Sequence, residues 1–310
     1  MKVYRDFPHA VPPRPEFPVV TVGVFDGVHR GHVRVIEAAL AAAAGRQVAL
    51  VTFDPHPRAV LGPPKQHRLL TPIEERLQHL GEWPLAAVVV LRFGTAVARQ
   101  SYAAFVQEAL VGALGAGHLV LGYNLHLGCG RQGTPERIAA LGRQAGFEVQ
   151  VVPPVELEGS PVSSTRIRHL LDAGEVAGAR RLLGRAYELA GTVVPGHGRG
   201  GRVLDTPTVN LELPAEKLVP ASGVYAARAH LGERSWAAAV NIGVAPTFGG
   251  TGEATVEAHL IDFAGDLYGQ PLTLQLLERL RAEQRFPDAA ALAAQIRHDL
   301  AQARRLAGPA

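Results

Sequence analysis

The chain has 310 residues, of which 47% are hydrophobic, and a formal net charge of +3, so its length favours two domains that each bury a core. Its scattered arginines argue against a nucleic-acid partner, and no apolar run approaches the roughly 20 residues needed to cross a membrane. Cys129 is the single cysteine, which excludes an internal disulfide. The N-terminus is also unlike a signal peptide, so we predict a soluble cytoplasmic protein. The sequence does not determine the oligomeric state.

The first half alternates apolar strands with helices. We predict strands over Val19–Phe25, Gln47–Phe53, Ala86–Leu91, His118–Leu121 and Glu148–Val152. We predict helices over Val33–Ala44, Pro72–Leu80 (with Thr71 as N-cap), Tyr102–Leu114 and Pro135–Ala145. This order is typical of a parallel, doubly wound α/β sheet, in which ligands lie beyond the carboxyl ends of the strands.

The second half changes to short strands separated by turns. The strands are predicted over Tyr187–Val194, Thr208–Leu213, Val224–Leu231, Ser235–Ile242, Ala254–Ile261 and Leu272–Leu277. Such closely spaced strands predict an antiparallel barrel or sandwich, followed by a terminal helix with Asp288 as N-cap. We place the domain boundary at the change of pattern, which gives domains of 1–183 and 184–310.

The most informative segment, residues 23–32, reads GVFDGVHRGH and joins the first predicted strand to a helix. His29 and His32 are three residues apart and can face one ligand, and helix N-termini favour phosphate. Imidazole donors could follow charge as it builds on phosphorus. We therefore predict nucleotidyl transfer from ATP, with both histidines catalytic and with ATP contacted by Gly23, Phe25, Asp26 and Gly31. A solvated or core histidine pair is the simpler alternative.

Three further segments follow predicted strands or open helices at the same sheet edge. Residues 163–168, SSTRIR, offer more hydroxyls and arginines than capping needs and predict a second phosphate site. It would comprise Ser164, Thr165, Arg166 (taken as catalytic) and Arg168. Residues 53–57, FDPHP, either shape a loop or contact ligand. Asn124 either forms a turn or binds substrate.

The second half contains two polar strand segments. Thr208 and Asn210 alternate on a strand and offer the oxygen ligands that suit Mg²⁺ held together with ATP, although a buried pair that bonds the backbone is the simpler interpretation. Glu257 could act as a general base from an inner face of the barrel, or be an ordinary surface glutamate. A glycine-rich basic loop, residues 198–202, precedes the strand of Thr208, although glycine-rich turns are common and the loop alone indicates little.

Taken in order, GVFDGVHRGH, FDPHP, SSTRIR and PTVN resemble bacterial bifunctional FAD synthetase. The resemblance implies a Rossmann-like N-terminal FMN adenylyltransferase domain and a C-terminal riboflavin kinase domain, a six-stranded antiparallel barrel with a terminal helix. It implies Mg²⁺ at Thr208 and Asn210, Glu257 as base for the ribityl 5′-hydroxyl, and Arg281 in substrate binding. It also implies that the loop before Thr208 binds ATP through Gly198, Arg199, Gly201, Arg202 and Pro207. The ligands implied are riboflavin, FMN, FAD, ATP, ADP and pyrophosphate.

The chain departs from the family pattern at several positions. Asp205 and Thr206 replace a usual Gly-Phe pair before the kinase motif, and Leu125 and Leu127 replace aromatic residues after the fourth predicted strand. Three alternatives therefore stay open: an enzyme in which only the adenylyltransferase half is active, a flavin or nucleotide sensor without catalysis, and a transferase for another small phosphorylated substrate.

Overall fold

The structure is a computed structural model, and it describes residues 1–5, 17–62, 68–195, 208–244 and 254–308. The chain forms two compact units, Met1–Ser164 and Thr165–Ala310. Within the described ranges, no helix is both long and apolar enough to cross a bilayer.

The first unit is built on a six-stranded parallel sheet of order β1-β4-β3-β2-β5-β6. These strands are β1 (Lys2–Arg5), β2 (Val19–Val22), β3 (Val48–Asp54), β4 (Ala87–Arg92), β5 (His118–Gly122) and β6 (Glu148–Val152). A small hairpin follows, formed by β7 (Glu156–Leu157) and β8 (Ser160–Pro161). After β4 the chain returns to the far side of β2 and adds β5 and β6 there. The order in which strands are added therefore reverses between β2 and β5, and open α/β sheets bind ligands at such a point.

Helices cover both faces of this sheet, so each face has its own apolar core. The helices are α1 (Arg30–Ala43), α2 (Pro57–Leu61), α3 (Ile73–Gly81), α4 (Thr95–Arg99), α5 (Tyr102–Ala104) and α6 (Pro135–Ala145), with a π-helical segment over Phe105–Ala113 and a 3-10 turn over Cys129–Arg131. The central strands are buried on both sides, which explains their continuous apolar runs.

The second unit is a closed barrel of order β10-β13-β12-β11-β14-β9. Two helices, α7 (Ser164–Asp172, which begins at the last residue of the first unit) and α8 (Val176–Leu183), precede it. Its strands are β9 (Tyr187–Val194), β10 (Thr208–Glu212), β11 (Gly223–Leu231), β12 (Arg234–Val244), β13 (Ala254–Leu260) and β14 (Pro271–Arg281). The antiparallel pairings close a small barrel whose interior is filled by alternate side chains.

The terminal helix α9 (Ala289–Ala307) lies against the outside of the barrel. The Asp288 carboxylate accepts a hydrogen bond from the backbone N–H of Ala291 at 2.8 Å, which confirms the predicted N-cap. Ala303 of the helix packs on Ala226 and Ile261. Both predicted folds, a parallel α/β sheet and a six-stranded antiparallel barrel with a terminal helix, are therefore confirmed.

Two details differ from the sequence-based predictions. The edge strand β1 was not predicted, because its residues KVYR are mostly exposed and carry no apolar run. Thr71 is not the N-cap of α3: that position is Pro72, without a side-chain hydrogen bond. The Thr71 hydroxyl instead contacts the turn after β2, and this tertiary contact takes the oxygen that would have capped the helix.

Candidate active sites

The turn between β2 and α1 lies beside the point where the strand order reverses, and its backbone is unusual. Phe25 and Val28 have φ of 54° and 38°, values that non-glycine residues rarely adopt, and Gly27 between them has φ of 88°. Phe25 is 2% exposed, so its strained conformation is held by packing. Such strain concentrates at binding and catalytic sites, where surrounding contacts must maintain it.

The two histidines of this turn hold each other at the start of α1. The Nδ1 atom of His29 accepts a hydrogen bond from the backbone N–H of His32 at 3.3 Å, and the Nδ1 atom of His32 accepts one from the backbone N–H of His29 at the same distance. Their rings are stacked, with centroids 3.6 Å apart and planes inclined by 14°. Because both Nδ1 atoms are acceptors, each neutral ring carries its proton on Nε2.

Glycine at position 31 leaves room for the close approach of the His29 ring. A Cβ there would lie 3.1 Å from Cε1 and 3.2 Å from Nδ1 of His29, and 3.6 Å from the backbone oxygen of Val162. Gly23 is similarly close to Phe25, since its Cβ would lie 3.1 Å from that ring. Both glycines predicted to contact ATP therefore leave room for the rings of the turn.

Asp26 is buried, and its carboxylate stabilises the turn. It accepts hydrogen bonds from the backbone N–H groups of Leu70 (3.3 Å) and Thr71 (2.9 Å) and from the Thr71 hydroxyl (3.3 Å). The Thr71 hydroxyl in turn accepts from the backbone N–H of Gly27 at 2.8 Å. The chain just before α3 is thus tied to the turn after β2.

Ser164, the last residue of the first unit, contacts the same turn. The Ser164 hydroxyl donates a hydrogen bond to the backbone oxygen of Asp26 at 2.9 Å. Ser164 and the turn after β2, which are far apart in the sequence, are therefore in contact. Thr165, Arg166 and Arg168 follow in α7; Thr165 is exposed and the two arginines are half-buried.

The neighbouring strand ends carry the other candidates of the first half. His56 follows β3, and its Nδ1 accepts a hydrogen bond from the backbone N–H of Arg58 at 3.0 Å, which caps α2. Asn124 follows β5, and its side chain is exposed. Its backbone oxygen is 2.9 Å from Nδ1 of His126. Asn124 therefore lies near the point where the strand order reverses, with a side chain accessible to ligand.

A row of polar side chains crosses three strands of the barrel. Asn210 on β10 is directly opposite Glu257 on β13, and Glu257 is directly opposite Asn241 on β12. Two residues further along the same face, Thr208 is directly opposite His259. Directly opposed residues bring their Cβ atoms to about 5 Å, so this row concentrates amide, hydroxyl and carboxylate oxygens.

The polar row lies on the outer face of the barrel, so the predicted placement of Glu257 on an inner face is wrong. On β13, Val256, Ala258 and Leu260 are at most 2% exposed and fill the interior. Glu257 and His259, which alternate with them, are half-buried on the opposite face. A six-stranded barrel has room inside only for its own side chains, which leaves the outer face for a ligand.

His259 is the titratable neighbour of this row. Burial lowers the pKa of its imidazole below the ordinary value of 6.5, which favours the neutral ring near pH 7. Among the described residues, no group of three or more His, Cys, Asp or Glu side chains could hold a metal ion by itself. A cation at the polar row would take further ligands from a bound phosphate.

Arg281 at the end of β14 is paired with α9. Its Nε and Nη2 donate to the Asp299 carboxylate at 3.0 and 2.8 Å, and its guanidinium lies over the Phe286 ring at 5.6 Å. Asp299 is buried and also accepts a hydrogen bond from Gln295 at 2.8 Å. The guanidinium thus anchors the terminal helix, whereas its predicted contact with substrate stays a prediction.

Several predicted kinase residues fall outside the described residues: Gly198, Arg199, Gly201, Arg202 and Pro207, together with Asp205 and Thr206. One residue that sequence reasoning missed is Arg76 of α3, which is 0% exposed. A basic residue within an amphipathic helix carries no signal of burial in the sequence.

Comparisons with known proteins identify a family for both halves of the chain. A family model described as FAD synthetase matches residues 12–166, and one described as riboflavin kinase matches residues 183–307. The bifunctional riboflavin kinase/FMN adenylyltransferase of Pseudomonas fluorescens is 41% identical over 297 residues, which cover 94% of this chain and 93% of that protein. The protein of the same name from Listeria monocytogenes is 35% identical over 286 residues, with 91% and 90% covered.

A solved structure, described as the macrolide-efflux protein from Streptococcus pneumoniae, covers 98% of this chain with a TM-score of 0.88 and 29% sequence identity, and 99% of that protein is matched. The efflux name belongs to that protein alone.

The predicted resemblance, the bifunctional function and the enzyme class are confirmed by the family models and relatives. The chain belongs to the family of bifunctional riboflavin kinases/FMN adenylyltransferases, the enzymes of FAD biosynthesis.

Proposed function

We propose that the barrel phosphorylates riboflavin with ATP to give FMN, and that the parallel-sheet domain transfers AMP from a second ATP to FMN, giving FAD and pyrophosphate. The substrates and products are small molecules, and we propose that the enzyme acts in the cytoplasm without a nucleic-acid or membrane partner. The exposed, unpaired thiol of Cys129 is compatible with a reducing compartment.

For adenylyl transfer, the proposal depends most on the reciprocal cap of His29 and His32. Because Nδ1 of each ring accepts in the cap, each neutral ring carries its proton on Nε2, and the rings are held at a helix start where phosphate binds favourably. An FMN phosphate oxygen attacks the α-phosphorus of ATP and pyrophosphate leaves. The two Nε2–H groups donate to the oxygens on which negative charge builds, as fixed donors do at developing oxyanions.

The remaining predicted contacts of this domain are proposed as follows. Ser164, Thr165, Arg166 and Arg168, at the start of α7, would bind the β- and γ-phosphates, because hydroxyls and guanidinium groups at a helix start favour phosphate oxygens. Asn124, exposed after β5, would contact FMN or the adenine base. Asp26 would act through its backbone and the turn that it stabilises, since its carboxylate is occupied within the protein.

For the kinase, the proposal depends on the register that sets Asn210 beside Glu257. Glu257 accepts the proton of the ribityl 5′-hydroxyl as that oxygen attacks the γ-phosphorus of ATP, and ADP leaves. Phosphoryl transfer otherwise depends on positioning and charge neutralisation. The hydroxyl of Thr208 and the amide oxygen of Asn210 are hard donors on one face and fit Mg²⁺ shared with ATP phosphates. When bound, the ion would neutralise charge on the triphosphate.

We also propose that the adenylyltransferase domain spans 1–183 and the kinase domain 184–310. The two family models support a boundary between residues 166 and 183. The compact units divide at Thr165, so that α7 and α8 are grouped with the barrel.

The deciding experiment is to incubate purified protein with riboflavin, ATP and Mg²⁺ and to identify the flavins by chromatography. We expect FMN first and FAD later. A chain that converts FMN to FAD but never makes FMN from riboflavin would instead support a single active half. Flavin binding without ATP consumption would support the sensor.

A further inference from the structure

Arg76 is a fully buried arginine that touches the backbone and side chains supporting the turn after β2. Its Nη1 donates to the Thr52 hydroxyl and to the backbone oxygen of Phe53, both at 3.1 Å. Its Nη2 donates to the backbone oxygen of Thr71 at 3.2 Å. One guanidinium thus joins the end of β3 to the chain that precedes α3.

Both of these segments hold the turn directly. The Thr52 hydroxyl, while accepting from Arg76, donates to the backbone oxygen of Val24 at 2.8 Å. Thr71 accepts from the backbone N–H of Gly27 and donates to Asp26. The contacts of Arg76 therefore reach the turn on both sides of Phe25, just before His29.

The burial of this charge is costly, which argues against a role in packing alone. Burial lowers the pKa of Arg76, and the carboxylates of Asp26 and Asp54 oppose that shift, so the guanidinium stays charged near neutral pH. The guanidinium donates to neutral oxygens, and a charge buried without a directly paired counter-charge costs more free energy than an apolar side chain of similar volume. A planar group with several fixed donors does, however, define the position of its acceptors.

We propose that Arg76 is a positioning residue of the adenylyltransferase site, which acts through Thr52 and Thr71 to hold the turn that presents His29 and His32. This inference rests on the proposed role of the two histidines. The strained backbone at Phe25 and Val28 requires such external support, because an unsupported turn would relax towards ordinary φ values. A displacement of about 1 Å in a catalytic group can cost roughly a hundredfold in rate.

The test compares Arg76→Lys and Arg76→Met with Thr52→Val, which removes the hydroxyl that accepts from Arg76 and donates to Val24. Leu80→Ala is the matched control: Leu80 is a fully buried residue of the same helix α3 that packs in the apolar core. Each variant is assayed for FAD formation from supplied FMN, with kcat and KM for ATP determined separately. FMN formation from riboflavin by the same chain serves as an internal reference.

We expect Arg76→Met to lower kcat for adenylyl transfer by roughly tenfold to a hundredfold, with KM for ATP changed by less than about threefold. Arg76→Lys should recover part of the loss, and Thr52→Val should lose roughly threefold to tenfold. Leu80→Ala should reduce thermal stability but leave kcat per folded molecule unchanged. FMN formation should be preserved in every variant.

A readout independent of activity is the side-chain nitrogen NMR spectrum of the histidines, with His29 and His32 assigned from single substitutions. Arg76→Lys and Thr52→Val should shift the signals of both rings, whereas Leu80→Ala should not. Should Arg76→Met fail to fold, these two milder variants decide the matter. Wild-type kcat with unchanged ring signals in both would overturn the proposal, as would an equal fall of kcat in Leu80→Ala.

This design also separates the inference from the function on which it rests. A wild-type kcat for FAD formation in His32→Ala would refute the proposed role of the histidines. The ring signals would still report whether Arg76 positions them.

Discussion

The imidazole rings of His29 and His32 cap each other's backbone amide and stack with centroids 3.6 Å apart. A helix start normally satisfies its first N–H groups with Ser, Thr, Asp or Asn. Here both proposed catalytic side chains do so through Nδ1, which fixes the tautomer and the orientation of each ring. Folding of the first turn of α1 and assembly of the site are therefore the same event.

The two roles of each ring can be separated by substitution. In His29→Asn the amide oxygen replaces Nδ1 and keeps the cap, while His29→Gln places an amide nitrogen near the position of Nε2. We expect His29→Asn to lose roughly 10²- to 10³-fold in adenylyl transfer, as for loss of one oxyanion donor. His29→Gln should retain more activity but lose about 1 kcal/mol of stability. FAD formation and thermal unfolding measure the two effects, and wild-type turnover in His29→Asn would contradict the role of Nε2.

Gly31→Ala should impair catalysis without weakening the helix. Alanine favours a helix over glycine by about 1 kcal/mol, so stability should be maintained or raised. The new Cβ, 3.1 Å from the His29 ring, should displace that ring and lower kcat for FAD formation by roughly tenfold.

Gly94→Ala is the matched control for this substitution. Gly94 has an extended backbone, and a Cβ added there would have no heavy atom of the described residues within 4 Å, so both activities should be unchanged. Unaltered turnover in Gly31→Ala would show that the ring tolerates the displacement.

The sequence predicts those features that depend on local pattern. Apolar runs buried on both faces identify β2 to β5, and GVFDGVHRGH identifies the turn because strand, glycines and helix follow one another. Thr71 is the instructive failure. A Thr-Pro pair favours an N-cap, but the buried Asp26 carboxylate and the Gly27 amide compete for the same hydroxyl.

Two features of the sites could not be predicted because they depend on tertiary structure. Alternation along β13 separates Glu257 from Val256 but does not say which face is inside the barrel, since the outer face is itself half-buried. The contacts of Arg76 join residues that are distant in sequence. Only the folded parallel sheet of the first unit brings the end of β3 against α3.

Glu257→Gln should impair FMN formation from riboflavin but not FAD formation from FMN. The amide keeps the size of the side chain but cannot accept a proton, so FMN formation should fall by about 10²- to 10⁴-fold. FAD formation from supplied FMN should stay at the wild-type rate. The control is Glu212→Gln. Glu212 is exposed and lies on the same face of β10 as Thr208 and Asn210, and its substitution should leave both activities intact. Undiminished FMN production by Glu257→Gln would exclude it as the base.

Asp299→Asn should destabilise the barrel. The substitution removes the charge that pairs with Arg281, and loss of one partner of a buried ion pair costs about 3 kcal/mol. Asp262→Asn breaks the exposed pair with Arg304 of the same helix and should cost less than about 1 kcal/mol. Denaturant unfolding of the barrel measures both, and equal losses would contradict a structural role for the Arg281 pair.

The lowered pKa of His259 predicts that the barrel loses stability in mild acid. In the unfolded chain His259 binds its proton near its ordinary pKa of 6.5, whereas burial delays protonation of the folded ring to lower pH. Below pH 6.5 the unfolded state therefore binds more protons, and the free energy of unfolding falls until the folded ring is protonated too.

His259→Gln lacks this contribution, so its stability should depend less on pH between 5 and 7. Trp236 fluorescence in a Trp83→Phe background, with Mg²⁺ chelated, reports unfolding of the barrel alone, since these are the two tryptophans of the chain. An identical pH dependence in both proteins would mean that the folded ring is protonated as readily as the unfolded one.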